Sequence, residues 1–165
     1  MFKDVKIKCI VLCDGAASSV FAKTAHGLIR YGKIFDVVGV VDSTCPGRGN
    51  HVLSLGLRDV PLFSSLSSAV DFVGVDFSAV VIGNAPSGYG DISLLLKEVV
   101  YGLDRGYNVY SGLHIELSKY DEVQEVLKRT TACLYEIRHE WKGRQLKFYD
   151  DAKMVVLESG LLQFV

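Results

Sequence analysis

Four apolar segments of this chain have the length of buried β-strands, and each one runs directly into a loop of small and polar residues. These loops begin at Asp14, Ser43, Asn84 and Ser111. Helical patterns lie between the segments, which favours parallel strands joined by crossovers. Because the carboxyl ends of parallel strands share one edge of a sheet, we expect the four loops to meet at the edge where open α/β sheets bind ligands.

The whole pattern predicts an α/β fold, a Rossmann-like, doubly wound and mainly parallel sheet in three layers. Strands are predicted over residues 5–13, 35–41, 60–63, 77–83, 107–110 and 132–135, with 60–63 at an edge because it contains a proline. Helices are predicted to begin at Ser18 or Ser19, at Ser64 or Ser65, at Asp91, and at Ser118 or Asp121. A short helical turn is expected near residues 51–55. Residues 1–140 form the predicted Rossmann-like domain, and 141–165 form a C-terminal extension or linker, for which a short hairpin is one form.

Charge and composition exclude several classes of function. The formal net charge is −1, and no basic run is interleaved with aromatic residues, so nucleic-acid binding is not expected. No segment is long and apolar enough for a membrane span or a signal peptide, which predicts a cytoplasmic protein without a membrane partner. The four cysteines lack the spacing of a zinc site, so no metal site is predicted.

The loop after the first strand lacks the dinucleotide fingerprint Gly-x-Gly-x-x-Gly. Gly15 is the single glycine between Asp14 and Ser19, and the Asp14 carboxylate would repel a phosphate. Backbone N–H groups at the start of the next helix can still bind an anion. Asp14 and Gly15 are therefore either ligand-binding residues or parts of a simple turn. Lys23 is either an exposed helix residue or a cation that reaches an anionic ligand.

Two further loops carry residues that suit a cofactor. Asp42 ends the second strand, where a nucleotide-binding sheet places the acid that accepts hydrogen bonds from ribose hydroxyls, although a turn aspartate is the alternative. Arg48 can pair with a phosphate or carboxylate, or be a solvated loop residue. The stretch Asn84–Gly90 contains Pro86 and exceeds the usual connection of about 2–6 residues, which favours a shaped ligand-binding loop. The cofactor is unknown, and NAD(P) or another nucleotide suits these positions.

The fourth loop contains the candidate for acid–base catalysis. Ser111 and Gly112 precede His114, whose pKa can lie near neutral pH. Glu116 is close enough in the chain to orient this imidazole. A structural histidine is the alternative, and no complete catalytic set follows from spacing alone.

Four segments occur in the order and at the spacing of one known family: Lys23–Tyr31, Val38–Thr44, Gly83–Gly88 and Ser111–His114. Over about residues 8–140 the chain resembles the domain-of-unknown-function family labelled NAD-dependent epimerase/dehydratase-like. The resemblance implies a Rossmann-like N-terminal domain joined to a C-terminal P-loop NTPase-like domain. It also implies a cleft lined by Lys23, Thr24, Asp42, Ser43, Thr44, Ala85, Pro86, Ser111, Gly112 and His114.

These observations lead to the hypothesis of a domain that binds a nucleotide or small anionic metabolite at the carboxyl edge of the sheet and forms half of a two-domain protein. The resemblance implies two alternatives, an NAD(P)-dependent oxidoreductase or epimerase-like enzyme and part of a D-amino-acid N-acyltransferase. Enzymatic activity is left open. The expected partners are a small-molecule ligand, a C-terminal P-loop domain or separate partner, and further copies of the chain, because residues 160–165 are mostly apolar.

Overall fold

A computed structural model describes residues 6–15, 17–18, 22–45, 48–54, 58–74, 76–84, 91–140, 154–156 and 162–164, with the backbone alone at 48–54, 140, 154–156 and 162–164. The strands are β1 Ile7–Leu12, β2 Phe35–Val41, β3 Arg48–Ser54, β4 Asp59–Phe63, β5 Ala79–Ile82, β6 Asn108–Ser111, β7 Leu134–Glu136, β8 Met154–Val156 and β9 Leu162–Phe164. The helices are α1 Lys23–Tyr31, α2 Leu66–Val73, α3 Ser93–Asp104, α4 Asp121–Leu127 and α5 Ile137–Glu140, with a 3-10 turn at Leu117–Lys119.

The first seven strands form one sheet in the order β3-β4-β2-β1-β5-β6-β7. The strands from β4 to β7 in this order are parallel, and β3 is antiparallel to β4 at one edge. Without β3, the order is that of the doubly wound dinucleotide-binding fold, 3-2-1-4-5-6. The predicted Rossmann-like α/β class is therefore confirmed, and the direction of strand addition reverses between β1 and β5.

Helices cover both faces of this sheet. On one face Leu12 and Ile82 pack with α2, α3 and α4, and on the other Val11 and Val81 pack with Ala25 of α1. Successive side chains of a strand point to opposite faces, so each central strand contributes to both cores. The fully apolar end of β1 follows from this position, because its side chains have no access to water on either side.

Two helices begin later than the sequence predicts. The N-cap of α1 is Ala22 rather than a serine, and Ser18 lies in a turn, while Ser19 is outside the described residues. The carboxylate of Asp42, which follows β2, accepts a hydrogen bond from the N–H of Ala17 and holds this stretch in turns. The N-cap of α3 is Ile92, and Asp91 instead accepts a hydrogen bond from the backbone N–H of Ser93 at 2.9 Å.

The other helix starts agree with one of the predicted alternatives. Ser65 caps α2, since its hydroxyl accepts a hydrogen bond from the N–H of Ser68 at 3.1 Å, and the Ser68 hydroxyl accepts one from the N–H of Ser65 at 3.2 Å. This reciprocal arrangement is a capping box. Helix α4 begins at Asp121, and Ser118 belongs to the preceding 3-10 turn.

The region between β2 and α2 differs from the prediction. Residues 48–54 form strand β3 instead of a loop with a helical turn, because they pair antiparallel with β4. Strand β4 is consequently not at the edge. Its proline, Pro61, is tolerated because the parallel ladder with β2 covers only Leu62 and Phe63. Pairing between strands overrode the local turn signals of this glycine-containing segment.

Beyond α5, strands β8 and β9 form a separate antiparallel pair. Residues 141–153 lie outside the described part of the chain, so the predicted domain boundary at 140 stays a prediction. Among the helices that the structure describes, none combines the length and the apolar character needed to cross a membrane.

Candidate functional site

The parallel strands bring the four predicted loops to one edge of the sheet. Along this edge Asp42 follows β2, Asp14 follows β1, Asn84 follows β5, and Ser111 ends β6. Neighbouring strands lie about 4.8 Å apart, so about 14 Å separate the ends of β2 and β6. The candidate residues therefore form a row rather than a single cluster, and Asp14 and Asn84 are the two neighbours at its centre.

Asp42 is committed to holding the loop between β1 and α1. Its Oδ2 accepts a hydrogen bond from the N–H of Ala17 at 2.9 Å, and its Oδ1 accepts bonds from the N–H and hydroxyl of Thr44 at 2.9 and 2.6 Å. The residue is 6% exposed. A carboxylate has about four acceptor positions, which leaves about one here. The role of Asp42 as a ribose-binding acid stays a prediction, with little acceptor capacity remaining for it.

The loop that Asp42 holds begins with two left-handed residues. Asp14 has a φ of 40° and Gly15 a φ of 78°, and a positive φ is uncommon for a residue other than glycine. Burial raises the pKa of the Asp14 carboxyl, and the charges of Asp42 and Asp91 raise it further, while a hydrogen bond with Ser43 lowers it. Asp14 is thus a partly desolvated carboxyl among other acids.

A cavity of about 190 Å³ opens beside Asp14 on the face of the sheet that α2 and α3 cover. Its apolar wall is formed by Leu12, Val41, Leu94 and Leu95. Its polar wall is formed by Asp14, Ser43, Ser64, Ser65, Lys97 and Glu98. The cavity combines apolar surface with several convergent polar groups, which is the usual character of a small-molecule site.

Glu98 is a residue of this cavity that was not predicted from the sequence. Its Oε2 accepts a hydrogen bond from the N–H of Leu66 at 2.8 Å, which satisfies a donor in the first turn of α2. Burial raises the pKa of Glu98, the bond from Leu66 and the charge of Lys97 lower it, and Asp14 adds a further increase. The sequence does contain one sign of this role. Glu98 is an acid three positions after the buried Leu95, on a helix face that is otherwise apolar.

The start of α1 lies at the strand-order reversal between β1 and β5. The N–H of Ala25 donates to the carbonyl of Gly83 at 3.1 Å, which anchors the helix to the end of β5. Lys23 is exposed and Thr24 is half-buried in the first helical turn. Asn84, the next residue after Gly83, is buried. These predicted ligand-binding residues therefore lie together at the reversal.

The end of β6 forms a second group of polar residues. Ser111 is buried, and its hydroxyl accepts a hydrogen bond from the N–H of Leu113 at 3.3 Å. His114 is exposed. The histidine beside Glu116 is His139, whose Nδ1 lies 3.3 Å from the Glu116 carboxylate. The catalytic role of His114 stays a prediction. Among the described contacts, Glu116 lies beside His139 rather than beside His114.

Two side chains from β7 and α5 support this second group and were not predicted. Arg138 donates a hydrogen bond to the carbonyl of Gly112. Glu136 is buried and accepts hydrogen bonds from the N–H of Leu117 and the hydroxyl of Ser118. These contacts hold the segment after β6 against the last strand.

The remaining predicted residues lie at the carboxyl edge or outside the described part of the chain. Ser43 and Thr44 are exposed at the carboxyl edge after β2. The backbone of Arg48 pairs with Phe63, which brings it to the same edge. Pro86 lies outside the described residues, as does the rest of the stretch 85–90.

Strand order and helix placement define a Rossmann-like domain. The family model for the Rossmann-like domain DUF1611_N, a domain of unknown function, matches residues 43–140, which is more than half of the 165-residue chain. The chain belongs to this family, and the resemblance inferred from the sequence is confirmed.

The crystal structure of a DUF1611 family protein from Anabaena variabilis ATCC 29413 is similar, with a TM-score of 0.65 and 25% sequence identity. The match covers 81% of this chain but only 37% of the other, so the chain spans little more than a third of that protein's length. No protein with a curated description matches the chain significantly.

Proposed function

We propose that this domain binds a nucleotide, or another small ligand with a phosphate or carboxylate group, at the carboxyl edge between β1 and β5. The reversal of strand order at this place carries the proposal. Strands to either side send their helices to opposite faces, which leaves a crevice above the two strand ends. Ligands of open α/β sheets bind in that crevice.

The start of α1 supplies the chemistry for an anion. Ala22 at the N-cap makes no side-chain hydrogen bond, and the first turn contains no acidic residue. The positive end of the helix dipole is therefore not offset by a local carboxylate, and Lys23 adds a full charge. Asp42 restrains the preceding loop through Ala17, so less conformational freedom is lost when a ligand binds.

The hydrogen bonds that Asp42 accepts from the protein disfavour the nicotinamide-dependent alternative. A ribose diol in a dinucleotide site donates hydrogen bonds to the acid that ends the second strand. Asp42 already accepts three bonds from Ala17 and Thr44. A nucleotide held mainly through its phosphate groups fits this edge better than a dinucleotide held through its adenosine ribose.

We also propose that this ligand-binding domain works as part of a larger assembly. That assembly is formed with a second domain, a separate partner or further copies of the chain. The length of the Anabaena relative supports this, since 63% of its chain lies outside the match (100% minus 37%). The oligomeric part is tested by light scattering on the 165-residue protein and on a form that lacks residues 150–165. A monomeric mass for both forms would refute self-association.

The binding proposal is tested by titration calorimetry with ADP, ATP, NAD⁺, NADP⁺ and coenzyme A. Lys23→Ala is expected to weaken binding about 3- to 10-fold, because it removes a charge beside the ligand. Lys33→Ala is the matched control, since Lys33 is an exposed lysine that follows the opposite end of α1. No heat from any ligand at millimolar concentration, or equal losses in both variants, would overturn the proposal.

A further inference from the structure

The end of β5 carries a buried hydrogen-bond acceptor that lacks a donor. Asn84 is only 7% exposed, and its Oδ1 has no hydrogen-bond partner among the residues that the structure describes. Buried polar atoms are nearly always paired, so an unpaired one points to a missing donor or cation. The position of Asn84 at the strand-order reversal makes a ligand the natural source of that partner.

Asp14 is the neighbour of Asn84 across the sheet. Strands β1 and β5 pair in parallel with Leu12 opposite Ile82, and the N–H of Gly83 donates to the carbonyl of Leu12 at 2.8 Å. Asp14 and Asn84 each follow this pair by two residues. Since adjacent strands lie about 4.8 Å apart, their side chains start within reach of one ion.

Both side chains lie on the face of the sheet that α3 covers. A Cβ on Gly83 would meet Ala25 of α1, so residue 83 faces the opposite helix layer. Strand alternation then directs Asn84 toward α3, on the same side as Ile82. Asp14 lines the cavity on that side, together with Leu94 and Leu95 of α3. The register of β1 and β5 therefore directs a carboxylate and an amide oxygen to the same face at the two strand ends.

The surroundings of this pair are rich in negative charge. Burial and the charges of Asp42 and Asp91 raise the pKa of Asp14, and Asp14 in turn raises that of Glu98. Lys97 is a cation of the cavity wall, and its charge lowers the pKa of Glu98. Within the described ranges, no three His, Cys, Asp or Glu side chains form a group that could hold a metal by themselves. Any cation here would thus complete its coordination with water or ligand oxygens.

We propose that Asp14 and Asn84 bind a hydrated divalent cation of the Mg²⁺ type. Mg²⁺ prefers oxygen ligands, keeps several of its waters, and is commonly held by one or two carboxylates together with phosphate oxygens. Two protein ligands are therefore enough. The cation site revises the expectation from cysteine and histidine spacing that the chain binds no metal.

The cation also resolves the conflict between an acid at the mouth of the loop and an anionic ligand. With Mg²⁺ between them, the Asp14 carboxylate and a phosphate are both attracted to the same charge instead of repelling each other. This bridging role rests on the proposed function, whereas the cation site itself does not require it. The two ideas can therefore fail separately.

The site is tested with Mn²⁺ as a paramagnetic substitute for Mg²⁺, by the loss of the free-ion resonance signal and by competition with Mg²⁺. One Mn²⁺ per chain is expected. Asp14→Asn should weaken binding at least about tenfold, because it removes the charged ligand while asparagine tolerates the left-handed backbone. Asp71→Asn, which removes an exposed carboxylate on α2, should change the affinity less than about twofold. Absence of binding at millimolar Mn²⁺, or equal affinities for the two variants, would overturn the cation site.

Asn84→Asp provides a second test, in which the stabilisation by Mn²⁺ should increase. It places two carboxylates side by side, so the protein without metal should melt at a lower temperature and Mn²⁺ should raise its melting temperature more than that of the unmodified protein. A melting temperature that does not respond to Mn²⁺ would overturn the proposal. If the variant folds only with Mn²⁺ present, that result supports it.

Nucleotide titrations separate the cation site from the proposed function. ADP binding that needs Mg²⁺ in the unmodified protein, and loses this dependence in Asp14→Asn, supports both ideas. ADP binding that EDTA leaves unchanged overturns the bridging cation and leaves the nucleotide site standing. Mn²⁺ binding that depends on Asp14, without binding of any nucleotide, overturns the proposed function and leaves the cation site standing.

Discussion

The backbone N–H of Ala17 donates a hydrogen bond of 2.9 Å to the carboxylate of Asp42, which lies 25 positions later in the chain. The bond joins the loop after β1 to the end of β2. Thr44 donates two further bonds to the same carboxylate, so one side chain organises both loops. The acid for which ligand binding is predicted thus also shapes the backbone around the candidate site.

Replacing Asp42 by asparagine tests this structural role. An amide can satisfy Thr44 with its oxygen, but its NH₂ group would then face the N–H of Ala17, which is itself buried. We expect Asp42→Asn to lower the free energy of unfolding by about 1–3 kcal/mol, because a buried donor loses its acceptor. Urea denaturation measures the change, and Asp71→Asn should stay within about 0.5 kcal/mol of the unmodified protein. Equal stabilities for the two variants would contradict the assignment.

Two glycines near α1 should respond to alanine with opposite signs. A Cβ on Gly83 would lie 2.2 Å from Cγ1 of Val11 and 2.8 Å from Cβ of Ala25, so α1 or β1 must shift. We expect Gly83→Ala to destabilise the domain by about 1–3 kcal/mol or more. Gly27 lies within α1, and a Cβ added to it would have no atom of the described residues within 4 Å, so Gly27→Ala should stabilise by about 0.5–1 kcal/mol through helix propensity. Thermal and urea unfolding of both variants provide the check, and a loss of stability in each of them would be inconsistent with this packing.

The raised pKa of Glu98 predicts how stability changes with pH. Burial is the main cause, so the folded state holds this proton more tightly than the unfolded state. The resulting stabilisation is complete below the ordinary carboxyl pKa and is lost as the pH rises through the folded-state value. Glu98→Gln keeps an acceptor for Leu66 but cannot titrate, so its stability should fall less steeply over that pH range. The same pH series on Glu125→Gln, an exposed position in α4, should follow the unmodified protein. Parallel curves for all three proteins would refute the prediction.

Thiol reactivity should distinguish Cys133 from the other cysteines. Cys9, Cys13 and Cys45 are buried, whereas Cys133 is exposed. Burial also raises the pKa of Cys9 to about 12, with a smaller contribution from the charge of Asp36, so little reactive thiolate forms there. We expect one fast-reacting thiol in the native protein and four after unfolding in urea. Cys133→Ser should remove the fast phase, and its persistence in this variant would show that a core cysteine is accessible.

Much of the fold could be predicted because its signals are local. The buried strand β2 coincides with the predicted 35–41, since a continuous apolar run bounded by polar residues has one favourable state. The capping serine of α2 was also among the predicted alternatives, because Ser65 reaches only as far as Ser68. Strand β3 was mistaken for a loop, since its stability comes from pairing with β4 rather than from its own composition.

The candidate site was predictable in its position but not in its interactions. The parallel strands place Asp14, Asp42, Asn84 and Ser111 on one edge, as expected from the strand-end loops. The partners of these residues were not predictable. Glu98 of α3 accepts a hydrogen bond from the start of α2, and Glu136 of β7 accepts one from the 3-10 turn. No local sequence pattern encodes contacts between segments so far apart in the chain.

The amino-acid sequence by itself determined that strands and helices alternate and that polar loops follow the strands, because hydrophobic periodicity and turn chemistry act over a few neighbouring residues. Only the tertiary structure decided which polar groups meet. Asp42 binds Ala17, while the Asn84 oxygen has no partner in the described part of the chain, and this difference depends on which strands are adjacent and on the face to which each side chain points. Hydrogen bonds between distant segments form only after the chain has packed, so their pairing is a property of the folded sheet.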